Sequence, residues 1–182
     1  PLAGDVKYKD LNGDHKIDNN DVSAIGNPIY PLLTGNLSMG FSWKGLDFSM
    51  TWAGAFKTSR LVADFYRYPF GSTNNRSLLK YMIDDAWTPE KGNSAKAPAI
   101  SLTNSKPNNY KDSDLWLRDA SYVRLKNLEV GYSFPQGMLS KIHLSSLRIS
   151  LSGYNLLTFD SLGFSDPESN PSGDTYPLVK VI

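Results

Sequence analysis

The run from Gly35 to Phe56, GNLSMGFSWKGLDFSMTWAGAF, constrains the fold more than any other part of this sequence. On either side of Lys44-Gly45 it alternates with period two. Leu37, Met39, Phe41 and Trp43 oppose Asn36, Ser38, Gly40 and Ser42. Leu46, Phe48, Met50, Trp52, Gly54 and Phe56 oppose Asp47, Ser49, Thr51, Ala53 and Ala55. Successive side chains of a strand point to opposite faces, so the pattern predicts two strands, each with one apolar and one small or polar face. A connection as short as Lys44-Gly45 allows only a tight antiparallel hairpin.

Two environments suit such a hairpin. In a soluble antiparallel sheet the apolar face packs on a core. In a transmembrane barrel that face meets lipid and the polar face lines the lumen. A spanning strand needs about 9–11 residues, which the second run supplies. Trp43 beside the turn and Phe56 at the far end stand where interfacial aromatic girdles lie.

Charge and hydropathy narrow the classes. Lys+Arg number 19 against 18 Asp+Glu, a net charge of +1, so there is no nucleic-acid footprint at this level. The absence of cysteine removes disulfides and thiolate metal sites. No apolar run approaches the ~18 residues of a membrane helix. A mean hydropathy of −0.36 is too polar for a helical membrane protein but compatible with the half-polar strands of a barrel. No signal peptide is visible, and the chain opens and stops mid-element, so it is read as cut from a longer protein in which export remains open.

Asp5–Lys9 alternates weakly through Val6 and Tyr8, as a strand end would, and runs into an acidic loop, Asp10–Asp21. Its spacing is that of a calcium loop. Asp10, Asn12 and Asp14 fall at positions 1, 3 and 5, the Lys16 carbonyl at 7, Asp18 at 9 and Asp21 at 12. A hard cation takes six to eight oxygens, and the oxygen set favours Ca²⁺ over Mg²⁺. Position 6, where Gly makes the sharp turn, is His15, which is expected to be exposed and outside the ligand set; Asp21 replaces the longer Glu. No helix precedes the loop, so it is not an EF-hand, and a solvated acidic turn is the alternative.

Past Phe56 a long polar insertion runs from Lys57 to Asp114. Within it Leu78, Leu79, Met82, Ile83 and Trp87 predict a short helix over Ser77–Trp87, stopped by Thr88-Pro89. Trp87, Tyr110 and Trp116 could stack on a sugar, although bulky rings more often bury area in a core. Leu115–Phe134 predicts a strand on which Leu128, Val130, Tyr132 and Phe134 oppose Asn127, Glu129, Gly131 and Ser133. Continued outward, that parity would place Lys126, Arg124 and Tyr122 on the apolar face. A bulge near Lys126, or exit from the membrane there, would relieve the misfit. After a short connection at Pro135–His143, Leu147, Ile149, Leu151 and Gly153 alternate against Ser146, Arg148, Ser150, Ser152 and Tyr154. A polar loop over residues 161–175 leads to a last strand beginning at Tyr176. Connections therefore go short, long, short, long, as a meandering barrel requires.

Enzyme signatures are missing. His15 and His143 are far apart, neither in a nucleophile pattern, and there is no P-loop, GxGxxG or HExxH. Asp84-Asp85 diverge if helical and are read as solvated. The chain is not expected to be an enzyme.

Several phrases resemble the C-terminal part of the SusC/RagA family of TonB-dependent outer-membrane transporters. They are GDVKYKDLNGDHKID at Gly4–Asp18, WKGLDFSM at Trp43–Met50, DAWTPE at Asp85–Glu90, SDLWLRDASYVRLKNLEVGYSFP at Ser113–Pro135, LSGYNLLTFD at Leu151–Asp160, and DPES with YPLVK between Asp166 and Lys180. The resemblance implies an all-β antiparallel meander within a barrel of about twenty-two strands closed around a plug, with long extracellular loops and one short loop helix. Residues 1–182 would be a C-terminal fragment lacking the plug, the TonB box and the end of the last strand. It further implies nutrient import of the glycan or peptide class, energy coupling through the TonB complex, a SusD-like lipoprotein over the extracellular mouth, outer-membrane lipid around the wall and no nucleic acid. The competing readings are a secreted calcium-dependent all-β binding module and a purely structural surface protein.

Two expectations follow. Leu37, Phe41, Phe48, Trp52, Val130, Ile149 and Leu151 should share one outward surface, with Ser38, Ser49, Thr51, Glu129, Arg148 and Ser150 inside. The fragment alone should aggregate in water, because its outer strands leave backbone groups unpaired and its apolar stripe uncovered.

Overall fold

Lys44 and Gly45 both take positive φ, 47° and 89°. That is the type I′ arrangement in which a two-residue turn follows the right-handed twist of its strands. The computed structural model describes residues 2–62, 64–71, 76–102, 106–163, 165–169 and 178–182. Their strands are β1 (Leu33–Trp43), β2 (Leu46–Phe56), β3 (Ser59–Leu61), β4 (Leu117–Asp119), β5 (Tyr122–Ser133) and β6 (Arg148–Asp160). β1, β2, β5 and β6 form a four-stranded antiparallel sheet in that order, while β3 and β4 form a separate two-stranded ribbon. The chain divides into two units.

The sheet unit comprises residues 28–58, 119–169 and 178–182. β1 and β2 pair without interruption, from Leu33 opposite Phe56 to Trp43 opposite Leu46. Directly opposed residues share a face, so the register reads out the two surfaces. One row runs Phe41–Phe48–Val130–Leu151, flanked by Leu37–Trp52, Met39–Met50–Leu128 and Tyr132–Ile149. The other runs Gly40–Ser49–Glu129–Ser152, flanked by Ser38–Thr51 and Asp47–Gly131–Ser150. Phe41 and Phe48 stack at 5.3 Å, and Trp52 and Phe159 at 6.3 Å. The apolar row is open, with Ile149 61% and Leu151 66% exposed.

The misfit in β5 is relieved by a bulge. Thr51 faces Asn127, but the next residue, Trp52, faces Leu125, so Lys126 is an extra residue against β2. Parity reverses there: Leu125 and Val123 join the apolar face with Trp52 and Gly54, and Arg124 and Tyr122 move to the polar face. β6 answers with extra residues of its own, since Asn127 faces Tyr154 while Leu125 faces Leu157, and Asn155 takes a positive φ of 53°. The apolar parity of β6 is therefore kept through Leu157 and Phe159.

Several boundaries differ from expectation. The predicted strand over Leu115–Phe134 is split. Asp114–Trp116 is a 3₁₀ turn, β4 pairs with β3, and the buried Ala120 interrupts the run before β5. The connection from β5 to β6 is Phe134–Leu147, longer than predicted because the backbone N–H of Phe134 bonds the Leu147 carbonyl and one helical turn, α3, intervenes; the helices are α1 (Asp64–Arg67), α2 (Lys80–Asp85) and α3 (Gln136–Leu139). Val181 bridges Tyr154 on the free edge of β6, with N–O distances of 2.8 and 3.2 Å, so a fifth strand begins there. The predicted start of that strand at Tyr176, and residues 164 and 170–175 of the loop before it, lie outside the described residues.

The second unit comprises residues 2–27 and 59–118. α2 is shorter than the predicted Ser77–Trp87: the Asp85 carbonyl accepts from Lys96 and Ala97, and Trp87 donates to Ala97, which pulls the chain out of the helix before Pro89. Its core holds Val62, Met82, Ala86, Tyr110 and Trp116. Asp5–Lys9 is not a strand; its Val6 N–H is spent on the Asn109 side chain at 2.9 Å.

Candidate functional site

The polar face of the sheet carries two ion clusters. Near the Lys44-Gly45 end, Arg148 on β6 donates through Nη2 to Asp47 of β2 at 2.5 Å and to Glu129 of β5 at 2.6 Å. One guanidinium thus crosses three strands. Gly131 makes room for it, because a Cβ there would run into Arg148 Nη2 and Asp47 Oδ2. On the same face Ser38 and Thr51 share a hydroxyl hydrogen bond of 3.1 Å. These small, paired groups make this face of the sheet hydrophilic.

The bulge builds the second cluster. Arg124, 2% exposed, donates through Nη2 to Asp166 at 2.8 Å, and its Nη1 lies 2.6 Å from Glu168 as a charge contact rather than a directed hydrogen bond. Lys126 Nζ reaches both Glu168 oxygens at 2.6 Å, and the Tyr122 hydroxyl donates to Glu168 at 2.8 Å. Burial pushes the Asp166 carboxyl up, but hydrogen bonds from Arg124 and the Glu168 N–H outweigh it and hold it below the usual range. Sequence alternation could not show this cluster, because without the bulge Arg124 falls on the wrong face.

In the second unit the acidic loop closes on its own backbone. Asp10 accepts from the N–H groups of Gly13 and His15 at 2.6 and 2.8 Å, Asp14 from Lys16 at 2.8 Å and Asp18 from Asn20 at 2.7 Å. Asn12 Oδ1 accepts from Asp14 at 2.9 Å. Asp21 accepts from Leu11 and Asp18 at 2.7 and 2.9 Å, and bonds to the Asp18 and then the Leu11 backbone hold its carboxyl below the ordinary range. The donors are the hard oxygens a calcium loop uses. His15, exposed, takes φ 65°, the left-handed turn that favours Gly at this position. Among the described residues no three His, Cys, Asp or Glu side chains gather as at a metal centre.

Beside the loop, a cavity of about 740 Å³ is lined by residues of 5–10, His15, Ile17 and residues of 106–111. Asp5 fastens one wall to the other through Lys106 at 2.9 Å and Asn109 at 3.2 Å. Of the three aromatics, Tyr110 and Trp116 are core, whereas Trp87 is half-buried. Tyr110 and Trp116 are buried 6.0 Å apart, Trp116 Nε1 donates to the Asn109 carbonyl, and the Arg67 guanidinium lies 5.7 Å from both the Tyr68 and Trp116 rings. No ring is left presented as a sugar platform by this pair. Among the described residues no helix is long and apolar enough to cross a membrane.

The chain matches no family profile. It is 30% identical over 176 residues to TonB-dependent receptor P3 of Formosa agariphila, covering 94% of this chain and 16% of that protein. It is 29% identical over 175 residues to TonB-dependent receptor P26 of the same organism, covering 94% and 17%. Among solved structures, the RagAB peptide importer in its closed-closed state superposes with a TM-score of 0.63 at 25% identity, over 91% of this chain and 18% of that one. The open-open state gives 0.61 at 24% identity over 87% and 16%, a likeness of fold alone. The chain thus spans about a sixth of the length of the relatives it matches.

Proposed function

The chain is a segment of a RagA-type TonB-dependent receptor, and on that premise we propose that it builds part of the barrel wall of an outer-membrane nutrient importer. The single observation that carries this reading is the two-faced register, apolar on one side and small or polar on the other across four strands. A membrane barrel needs such a wall, apolar toward lipid and hydrophilic toward the lumen. On this reading residues 1–182 belong to the C-terminal strands of the whole receptor, and residues 59–118 form an extracellular excursion. Likeness to the RagAB peptide importer supports a cargo of the peptide class, the TonB-dependent relatives support TonB energy coupling, and a SusD-like lipoprotein partner and a glycan alternative follow from the resemblance of the sequence to the SusC/RagA family.

The acidic loop is proposed as a Ca²⁺ site that orders this excursion, held by Asp10, Asn12, Asp14, the Lys16 carbonyl, Asp18 and Asp21. Its support is the oxygen set together with the left-handed turn at His15. Calorimetry on the full-length protein in detergent tests it: heat at millimolar Ca²⁺ that weakens in Asp14→Ala is expected, and no heat removes the site.

The import reading is tested by affinity purification of the full-length receptor from detergent-solubilised outer membranes. A surface lipoprotein should copurify, and the receptor should be absent from soluble fractions. Recovery of a soluble monomer would favour the secreted calcium-dependent module instead.

A further inference from the structure

We infer that the cleft between residues 5–10 and residues 106–111 is a binding site for an extended acidic peptide, with Lys7, Lys9 and Lys111 receiving its carboxylates. Both walls belong to the second unit, and every residue lining the cleft is among the described ones. The walls are fastened to each other. Asp5 holds Lys106 at 2.9 Å, the Val6 N–H donates to Asn109 Oδ1 at 2.9 Å, and the Tyr8 hydroxyl donates to the Asn108 carbonyl at 2.6 Å. These bonds fix the two segments beside a hollow of about 740 Å³. Ligand sites are commonly preformed hollows of about 300–1,000 Å³.

The charge of the lining is unbalanced. Its two carboxylates are already engaged, Asp5 with Lys106 and Asn109, and Asp10 with the N–H groups of Gly13 and His15. Asp112, next to Lys111 in the chain, is taken by Arg67 at 2.7 Å. Lys7, Lys9 and Lys111 therefore pair with no carboxylate among the described residues. Like charges around a concave surface focus their field and draw in an anion. A small inorganic anion would leave much of the hollow unused, because Val6, Tyr8, Ile17 and Pro107 line it too, and Ile17 is 55% exposed. The backbone of one wall is also open. Asp5–Lys9 belongs to no strand, and the N–H groups of Lys7, Tyr8 and Lys9 donate to nothing among the described residues. An extended peptide can bond to such a segment as an added strand, its alternate side chains meeting ammonium and apolar groups in turn. An acidic glycan brings carboxylates but neither a regular row of amides nor apolar side chains.

That the cleft captures acidic peptides outside the cell, ahead of their passage, rests on the import reading; the binding itself does not. The probe is a rhodamine-tagged peptide of alternating glutamate and valine, with a benzophenone side chain near its middle. It is titrated into the full-length receptor in detergent and read by fluorescence anisotropy. Lys7 and Lys9 are exposed, so changing them leaves the packing intact. Lys7→Gln with Lys9→Gln should weaken binding about fivefold, the combined size of two partly exposed charge pairs, whereas Lys7→Arg with Lys9→Arg should preserve it. The glutamine counterpart of the probe should bind the parent at least as weakly as the probe binds the glutamine variant. Irradiation should place the crosslink within residues 5–17 or 106–111, located by mass spectrometry. Crosslinks confined to β1, β2, β5 and β6, or a glutamine variant that binds like the parent, would overturn the cleft. Equal competition by an oligomer of glucuronic acid would overturn the assignment to a peptide. If the crosslink falls in the cleft while the receptor is recovered from soluble fractions, the import reading fails and the binding site stands.

Discussion

Met50→Arg tests the wall with a magnitude that the structure supplies. β2 has 11 residues, Leu46–Phe56, and Met50 is one residue from its middle. At about 3.4 Å per residue and a tilt near 45°, that strand rises about 26 Å along the membrane normal, the height of the ~25 Å apolar band of an outer-membrane barrel. Met50 then lies close to the midplane, between Met39 and Leu128, with no acid on its face of these pairs. An arginine there should cost about 2–4 kcal/mol. Its neighbour sets the control. Ser49→Arg lies on the polar face opposite Glu129, where a cross-strand charge pair offsets the substitution and the net cost should stay under about 1 kcal/mol. The assay is urea titration of the full-length receptor folded in lipid vesicles, with the folded fraction read from heat-dependent gel mobility. A Ser49→Arg penalty equal to or larger than that of Met50→Arg would refute the assignment of faces.

Three further outcomes are expected. His15→Gly removes a left-handed non-glycine residue, worth about 1 kcal/mol, and should tighten Ca²⁺ binding severalfold by calorimetry, whereas unchanged affinity would separate the turn from the metal. Asp5, held down at about 2 by the Leu2 backbone N–H and then by Lys106 and Asn109, has a folded value below its ordinary 3.8. Its tether between the cavity walls is therefore complete above pH 3.8 and lost as pH falls toward about 2, so pepsin cleavage near Leu11 should rise across that window and begin higher in Lys106→Met. Gly131→Val should displace the Arg148 guanidinium from Asp47 and Glu129, lowering the urea midpoint by an amount that shrinks when Arg148→Ala is already present.

Much of the wall was legible because alternation in a strand is strictly local. Leu37, Phe41, Phe48, Trp52, Val130, Ile149 and Leu151 share a face in the observed register because each strand carries its own parity. The bulge was legible only as a misfit: Arg124 and Lys126 on an apolar face announced a break, but its nature depends on pairing with β2 and β6. The split at Ala120 was hidden, since Leu115–Phe134 reads as one apolar-rich run and only the buried Trp116 and the β3 partner set the division. The early end of α2 is hidden for a similar reason, because the Ala86–Ala97 bridge is a contact between residues distant in sequence. In the acidic loop the spacing was plain, but no pattern of residues reveals that every carboxylate bonds to its own backbone. The ion cluster at Arg124 needed both the bulge and the return of residues 165–169, neither of which a one-dimensional pattern contains.

Spin-label accessibility at two adjacent positions of β6 tests the central claim most directly. Ser150→Cys and Leu151→Cys, one on each face of the sheet, are labelled in the full-length receptor reconstituted in liposomes. Collision with oxygen, which concentrates in lipid, is compared with collision with a water-soluble nickel chelate. The label at Leu151 should favour oxygen and the label at Ser150 nickel. The opposite pattern would contradict the orientation of the wall, and nickel accessibility at both positions would contradict a membrane barrel altogether.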